Sequence, residues 1–173
     1  MKKFLLILSI LFPLSIFAEG DDWSHYGKDS GGGHYSKATE ITPENVKHLK
    51  NIWTHRSGDY KGGANSAGRK GDDYQTSFQV TPLLVDETLF YCTSFNRVFA
   101  LNSETGEEIW MFDPKLKKEG RAILACRGLS SWKDLKKSPD EKCFHHIIGV
   151  TIDAELFSIC LLYTSDAADE SVG

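Results

Sequence analysis

At 173 residues the chain is long enough for one ordinary globular domain. Its formal net charge is -4, and its Lys and Arg residues are dispersed rather than massed into a stripe, which excludes a nucleic-acid-binding reading. The first segment is Met1-Lys2-Lys3, a basic start, followed by an apolar run from Phe4 to Phe17, the small residue Ala18 and the polar Glu19-Gly20-Asp21-Asp22. That order predicts a secretory signal peptide over residues 1–18 with cleavage after Ala18. The run is shorter than the roughly 18 to 20 residues of a spanning helix, and no Cys directly follows it to suggest a lipoprotein. The remainder is expected to be exported, most simply to a bacterial periplasm.

Further along, Thr42-Pro43-Glu44-Asn45 predicts the start of a short helix, with Thr42 as N-cap, Pro43 in the first helical position and Asn45 to Leu49 completing it. The Gly-rich stretch from Lys61 to Asp73 lacks G-x-x-x-x-G-K-S/T and has no helix after it. A flexible surface loop is expected there rather than a phosphate cradle. From Thr81 to Pro114 the sequence reads as short strands between tight turns: Leu83–Val85 leading into Thr88–Thr93, then Arg97–Leu101, then Glu108–Phe112. Four-stranded antiparallel units of this kind are propeller blades.

The turn between the last two strands is Asn102-Ser103-Glu104-Thr105-Gly106. Asn102 can close it with its own side chain, Gly106 supplies a positive φ, and Trp110 offers a large flat face and one indole donor for docking on a neighbouring blade. A shift of about 58 residues pairs Leu89 with Ile147, Thr93 with Thr151, Phe99 with Phe157 and Leu101 with Ile159, so a second copy of the repeat begins downstream. After Ile159 the pattern fails. CLLYTSDAADE, from Cys160 to Glu170, reads as the translation of a transposase-type sequencing adapter, so residues 160–173 are expected to be an artefactual tail. Because a single blade cannot cover its own apolar faces, residues 19–159 supply an N-terminal strand, one blade and the start of another, an incomplete ring.

The spacing of Ala100, Asn102, Thr105, Gly106 and Trp110, A-x-N-x-x-T-G-x-x-x-W, resembles the tryptophan-docking repeat of the pyrroloquinoline quinone (PQQ) dehydrogenases. The opening segment extends the resemblance through Trp23, Tyr26-Gly27-Lys28-Asp29, Tyr35-Ser36, Ile41, Asn45-Val46, Leu49, Trp53 and Gly58-Asp59. Cys126-Arg127-Gly128-Leu129-Ser130 is similar to the family's C-R-G-V-S element. The likeness runs from about Trp23 to Ile159 and is greatest to the glucose/quinate branch. It implies an all-β fold, the N-terminal part of an eight-bladed propeller. The alternative of a different class is a non-enzymatic PQQ-like scaffold of the outer-membrane assembly type, which would need neither the opening segment nor Cys126-Arg127-Gly128.

In such a dehydrogenase the quinone accepts a hydride from a sugar or polyol, Ca²⁺ polarises it, and a respiratory acceptor such as ubiquinone or a cytochrome removes the electrons. A planar guanidinium suits the carboxylates of PQQ, and Arg127 matches the family's carboxylate-binding Arg. Gln79 stands where the family usually carries a Glu facing the cofactor; it keeps the hydrogen bonding and loses the charge. The resemblance places the Ca²⁺ ligands, catalytic base and most quinone contacts downstream of Ile159. Ala125 before Cys126 departs from the vicinal Cys-Cys of the alcohol-oxidising relatives and favours the sugar/polyol branch.

Of the cysteines, Cys92 is expected to be a small buried hydrophobe. Cys126 and Cys143 flank the Lys-rich stretch containing Lys133, Lys136 and Lys137, and an oxidising compartment permits a disulfide between them. The lysines of this stretch, with Lys115, Lys117 and Lys118, read as a solvated connection between blades. No C-x-x-C marks a zinc or redox site. The six histidines lack ligand spacing and read as structural or solvent-facing.

Overall fold

The computed structural model describes residues 22–59, 75–117 and 123–161. The predicted signal peptide, the Lys61–Asp73 stretch and everything after Leu161 lie outside the described residues.

Two antiparallel sheets and one parallel pair make up the fold. Strands β2 (Leu83–Val85), β3 (Thr88–Cys92), β4 (Val98–Asn102) and β5 (Glu108–Phe112) follow one another in space as in sequence, forming one blade. A second sheet holds β7 (Ser130–Lys133), β8 (His145–Val150) and β9 (Leu156–Cys160) in the same order. Strands β1 (Gln75–Thr81) and β6 (Ile123–Gly128) pair with each other in parallel. Each runs directly into the first strand of its blade, β1 through Pro82 into β2 and β6 through Leu129 into β7.

The predicted repeat is visible in the register. Leu89↔Leu101 in β3–β4 becomes Ile147↔Ile159 in β8–β9, a displacement of 58 residues, and each of the five pairs in the first ladder has its counterpart in the second. The turns obey the same rule. The Thr93 amide donates to Arg97 O and the Asn96 amide to Thr93 O; at the equivalent places Thr151 donates to Glu155 O and Ala154 to Thr151 O. Asn96 and Ala154 both sit at positive φ, 58° and 63°. The blades differ at the preceding turn, where Asp86–Glu87 in the first corresponds to the whole stretch from Asp134 to Phe144 in the second. The lysines at 136 and 137 therefore lie within the second blade, not in the connection between blades. The Asp134 amide donates to Phe144 O at 2.7 Å and closes the base of this longer loop.

The tight turn after β4 forms as its residues dictate. Asn102 Oδ1 accepts from the amides of Glu104 and Thr105, both at 2.9 Å, and Gly106 has φ 72°. A side chain at 106 is also barred by packing, because a Cβ there would lie 2.5 Å from the Trp53 ring. The helix predicted from Thr42 is shorter than expected, a 3-10 turn over Val46–His48. Asn45 replaces Thr42 as the N-cap residue, and its Oδ1 accepts from the Thr42 amide while its Nδ2 donates to Glu40 O.

The principal core lies between the blades. Leu83, Val85, Phe90, Val98, Ala100 and Trp110 from the first pack with Leu129, Ile147 and Ile159 from the second. Trp110 stacks at a tilt on Phe90, and its indole N–H donates to Leu161 O at 3.4 Å, so the predicted docking of Trp110 on the neighbouring blade is observed. The opposite face of the first blade, with Tyr91, Phe99 and Leu101, is covered by Trp53 of the opening segment. That segment is tied on by the Trp23 bridge to Leu84, by Trp53 Nε1 donating to Ser103 O, and by the buried Asp59–Arg97 ion pair.

Two disulfides are present, Cys92–Cys126 and Cys143–Cys160. The expected Cys126–Cys143 pairing is not formed, and Cys92 is a disulfide partner rather than a lone hydrophobe. The cause is topological: β6 packs against β3, whereas Cys143 ends the long loop beside β9. The boundary predicted between Ile159 and Cys160 falls inside β9, which continues through Cys160.

Asn96 is 1% exposed, and its Oδ1 accepts from the Ile152 amide at 3.0 Å, linking the corresponding turns of the two blades. Asn96→Ala removes the acceptor and places a Cβ-bearing residue with no side-chain polar group at positive φ. A loss of about 2 kcal/mol is expected, while Asn96→Asp, which keeps an acceptor and tolerates the backbone, should lose less. Urea denaturation of the expressed protein is the measurement, and equal midpoints for the wild type and the Ala variant would contradict the role.

His145 is also buried at this interface, with Nδ1 3.5 Å from Asp86 Oδ2 of the first blade. Burial, and then the Lys133 charge, lower its pKa below 6.5, against the opposing pull of Asp86 and Asp22. The unfolded chain therefore takes up a proton that the folded one resists. Its stabilising contribution is complete above pH 6.5 and declines as pH falls below it. Denaturation midpoints between pH 7.5 and 5 should fall less steeply for His145→Asn than for the wild type; parallel curves would refute the assignment.

Candidate cofactor-facing surface

Arg127 and Gln79 come from the two strands of the parallel pair. Register runs Gln75↔Ile123 to Phe78↔Cys126 and resumes at Thr81↔Gly128, so Gln79 and Val80 together face Arg127 across a bulge. Bulges re-aim side chains and are frequent beside functional sites. Along β6 burial alternates: Leu124 and Cys126 are buried, Ile123 and Arg127 exposed. Successive strand residues point to opposite faces, so Ile123, Ala125 and Arg127 share the open side. Ser77, opposite Ala125, belongs to that side, and Gln79 Nε2 donates to Ser77 Oγ at 2.9 Å. The structure therefore brings the two sequence-predicted cofactor residues onto one exposed face.

An open cleft of about 630 Å³ lies over this face. Its lining includes Ile123, Ala125 and Arg127 from β6, Ile148 and Val150 from β8, and Ile152 beyond β8. Apolar walls with one guanidinium make a surface suited to a flat, largely apolar ligand carrying carboxylate groups. Arg127 forms no ion pair with any described residue, so its donors are available. The residues present fit PQQ in this respect: a planar ring system needs apolar flanks, and its carboxylates need a planar donor fork.

Asn102, Gly106 and Trp110 stand away from the cleft and act in the turn and the blade interface, as expected. Among the histidines, His55 hydrogen-bonds the Tyr91 hydroxyl and has Nε2 3.4 Å from Glu108 Oε2. Burial, with the Glu108 carboxylate adding to it, pushes the Tyr91 phenol up to about 12. This cluster lies on the first blade's other face and closes the opening segment onto it. Sequence reasoning missed the Cys92–Cys126 link directly beneath the cleft strand. No local signal marks it, because the two cysteines lie 34 residues apart and meet through the packing of β6 on β3.

The family described as "PQQ: Glucose/ethanol/alcohol dehydrogenase, beta-propeller domain" matches residues 23–161. The chain belongs to this family of PQQ-dependent dehydrogenases, and its architecture is the propeller architecture of the family. Its relatives place it in the glucose/quinate branch. It is 39% identical over 109 residues to quinoprotein glucose dehydrogenase A of Acinetobacter calcoaceticus, an alignment covering 62% of this chain and 13% of the relative. It is 32% identical over 120 residues to the quinate/shikimate dehydrogenase (quinone) of Acinetobacter baylyi, covering 69% of this chain and 14% of the relative. The crystal structure of the quinohemoprotein alcohol dehydrogenase from Comamonas testosteroni superposes with a TM-score of 0.59 at 23% identity, over 81% of this chain and 18% of that one, and shares the fold. The chain thus spans about one seventh of the length of the two curated relatives.

Proposed function

We propose that this chain is part of an exported PQQ-dependent dehydrogenase that oxidises a sugar or polyol and passes the electrons to a respiratory acceptor such as ubiquinone or a cytochrome. The observation that carries the reading is the exposed Arg127, without an ion pair among the described residues, which lines an apolar-walled cleft and shares its open strand face with Gln79. Export to the periplasm is supported by the basic start, apolar run and Ala18 of residues 1–18.

When bound, PQQ supplies the two-electron acceptor for the substrate hydride. The residues of this chain bind and orient it. Arg127 would hold a carboxylate of the cofactor, a role to which a planar guanidinium with two parallel N–H donors is suited. Gln79 would donate or accept a hydrogen bond without adding a like charge to a ligand rich in carboxylates. Ile123, Ile148 and Val150 supply the apolar surface of the cleft against which a ring system would lie. Ca²⁺ and the proton acceptor are assigned to other parts of the enzyme; among the described residues no three His, Cys, Asp or Glu side chains gather as a metal site.

The test is reconstitution of the full-length protein with PQQ and Ca²⁺, followed by dye reduction with aldoses and polyols. Activity is expected, and Arg127→Ala should weaken PQQ binding roughly 10- to 100-fold, the loss for one charge-assisted hydrogen-bonded contact. A protein that retains no quinone absorbance and reduces no dye with any of these substrates would be a scaffold instead.

A further inference from the structure

Resting on the assignment of Arg127 to a cofactor carboxylate, we propose that the Cys92–Cys126 disulfide is a positioning device that anchors β6 to the first blade and thereby holds Arg127 at a fixed place over the cleft. Among the described residues β6 has one hydrogen-bonding neighbour, β1, and the pair is interrupted by the bulge opposite Arg127 itself. A two-stranded pair is marginal without further support. Arginine also carries one of the larger side-chain entropies, so a loosely held strand would spread its guanidinium over many positions.

The support comes from the other face. Cys126, adjacent in sequence to Arg127 and pointing the opposite way, is 7% exposed and bonded to Cys92, itself 1% exposed at the end of β3. Cys92 pairs with Val98 of β4 at the end of the antiparallel ladder, so the anchor belongs to the four-stranded sheet. Leu124, fully buried, seats the strand one step further along the same inner face. The disulfide thus ties the strand that presents the guanidinium to a rigid sheet within one residue of the presenting position. Binding groups need such support to hold their geometry.

Loss of a purely structural disulfide would lower stability to the same extent whatever residue stood at position 127. The discriminating experiment is therefore a double-mutant cycle in the full-length apo-protein, with PQQ binding followed by spectral titration well below the melting temperature. Cys92→Ala/Cys126→Ala is measured in the wild-type background and in the Arg127→Ala background. Loss of the disulfide is expected to weaken PQQ binding about tenfold when Arg127 is present and less than twofold when it is replaced, a coupling within the range for directly linked residues. Equal losses in the two backgrounds, or no loss in either, overturn the inference while leaving the cofactor assignment intact. Absence of PQQ binding by the wild-type protein overturns the assignment itself, and the inference with it. Should the double Ala variant fail to fold, Cys92→Val/Cys126→Ala, which restores much of the lost core volume, is titrated in the same cycle and read by the same criteria.

Discussion

The structure depends on apolar surface that no blade can bury by itself. Phe90, Ala100 and Trp110 form one wall of the principal core, Ile147 and Ile159 the other, and each wall would face water without its neighbour. A Trp side chain of this kind removes roughly 150 to 250 Å² from solvent, worth on the order of 4 to 6 kcal/mol before the entropy cost of ordering is counted. Its indole N–H cannot be buried without a partner, and an acceptor it finds, Leu161 O, lies one residue past β9. The large side chain that docks on the neighbouring blade thus also bonds the backbone just past β9.

Polar groups then set the alignment that nonspecific burial leaves loose. Asn96 reaches from one strand-to-strand turn to the equivalent turn of the next blade, and Ser131 Oγ donates to Ser24 O of the opening segment. The Asp59–Arg97 pair is nearly dry on the carboxylate side, where removing Arg97 would strand a buried charge. Phe95 N donates to Asp59 Oδ2 and Arg97 Nη2 donates to Ser57 O, so both ions are hydrogen-bonded beyond their mutual contact. Residues 51–59 are held over the first blade by directional bonds at their far end and by Trp53 against Gly106 at the other.

What could be read from the sequence was whatever rests on local rules. Asn102 and Gly106 follow turn chemistry and Trp110 strand alternation: Asn102 Oδ1 accepts from two turn amides, Gly106 has φ 72° and Trp110 is buried. The 58-residue repeat was legible because β-ladders copy register, and a matched pair in one blade must be matched in the next. Arg127 and Gln79 were singled out one at a time by resemblance, and not as neighbours, because their meeting depends on a parallel pairing between strands separated by an entire blade. The disulfides failed for the same reason. Proximity in sequence to a Lys-rich loop suggested Cys126 with Cys143, whereas the partner of Cys126 is chosen by the packing of β6 on β3. The short helix from Thr42 tightened to a 3-10 turn because Asn45 uses its side chain to bond Thr42 and Glu40 rather than to extend a helical ladder.

The longer turn of the second blade shows how the repeat absorbs a change without losing register. A two-residue turn in the first blade is replaced by the stretch from Asp134 to Phe144, yet β8 and β9 pair as β3 and β4 do. Loop closure grows only slowly in cost with length, so an insertion at a solvent-facing turn need not disturb the ladders beside it. The insertion is also fastened at its root, by Asp134 N to Phe144 O and by Cys143 to Cys160. Cys160 occupies the register position that Asn102 holds in the first blade, opposite His146 as Asn102 is opposite Thr88. A position that closes its own turn by hydrogen bonds in one blade thus secures a neighbouring loop covalently in the next, with the strand geometry unchanged.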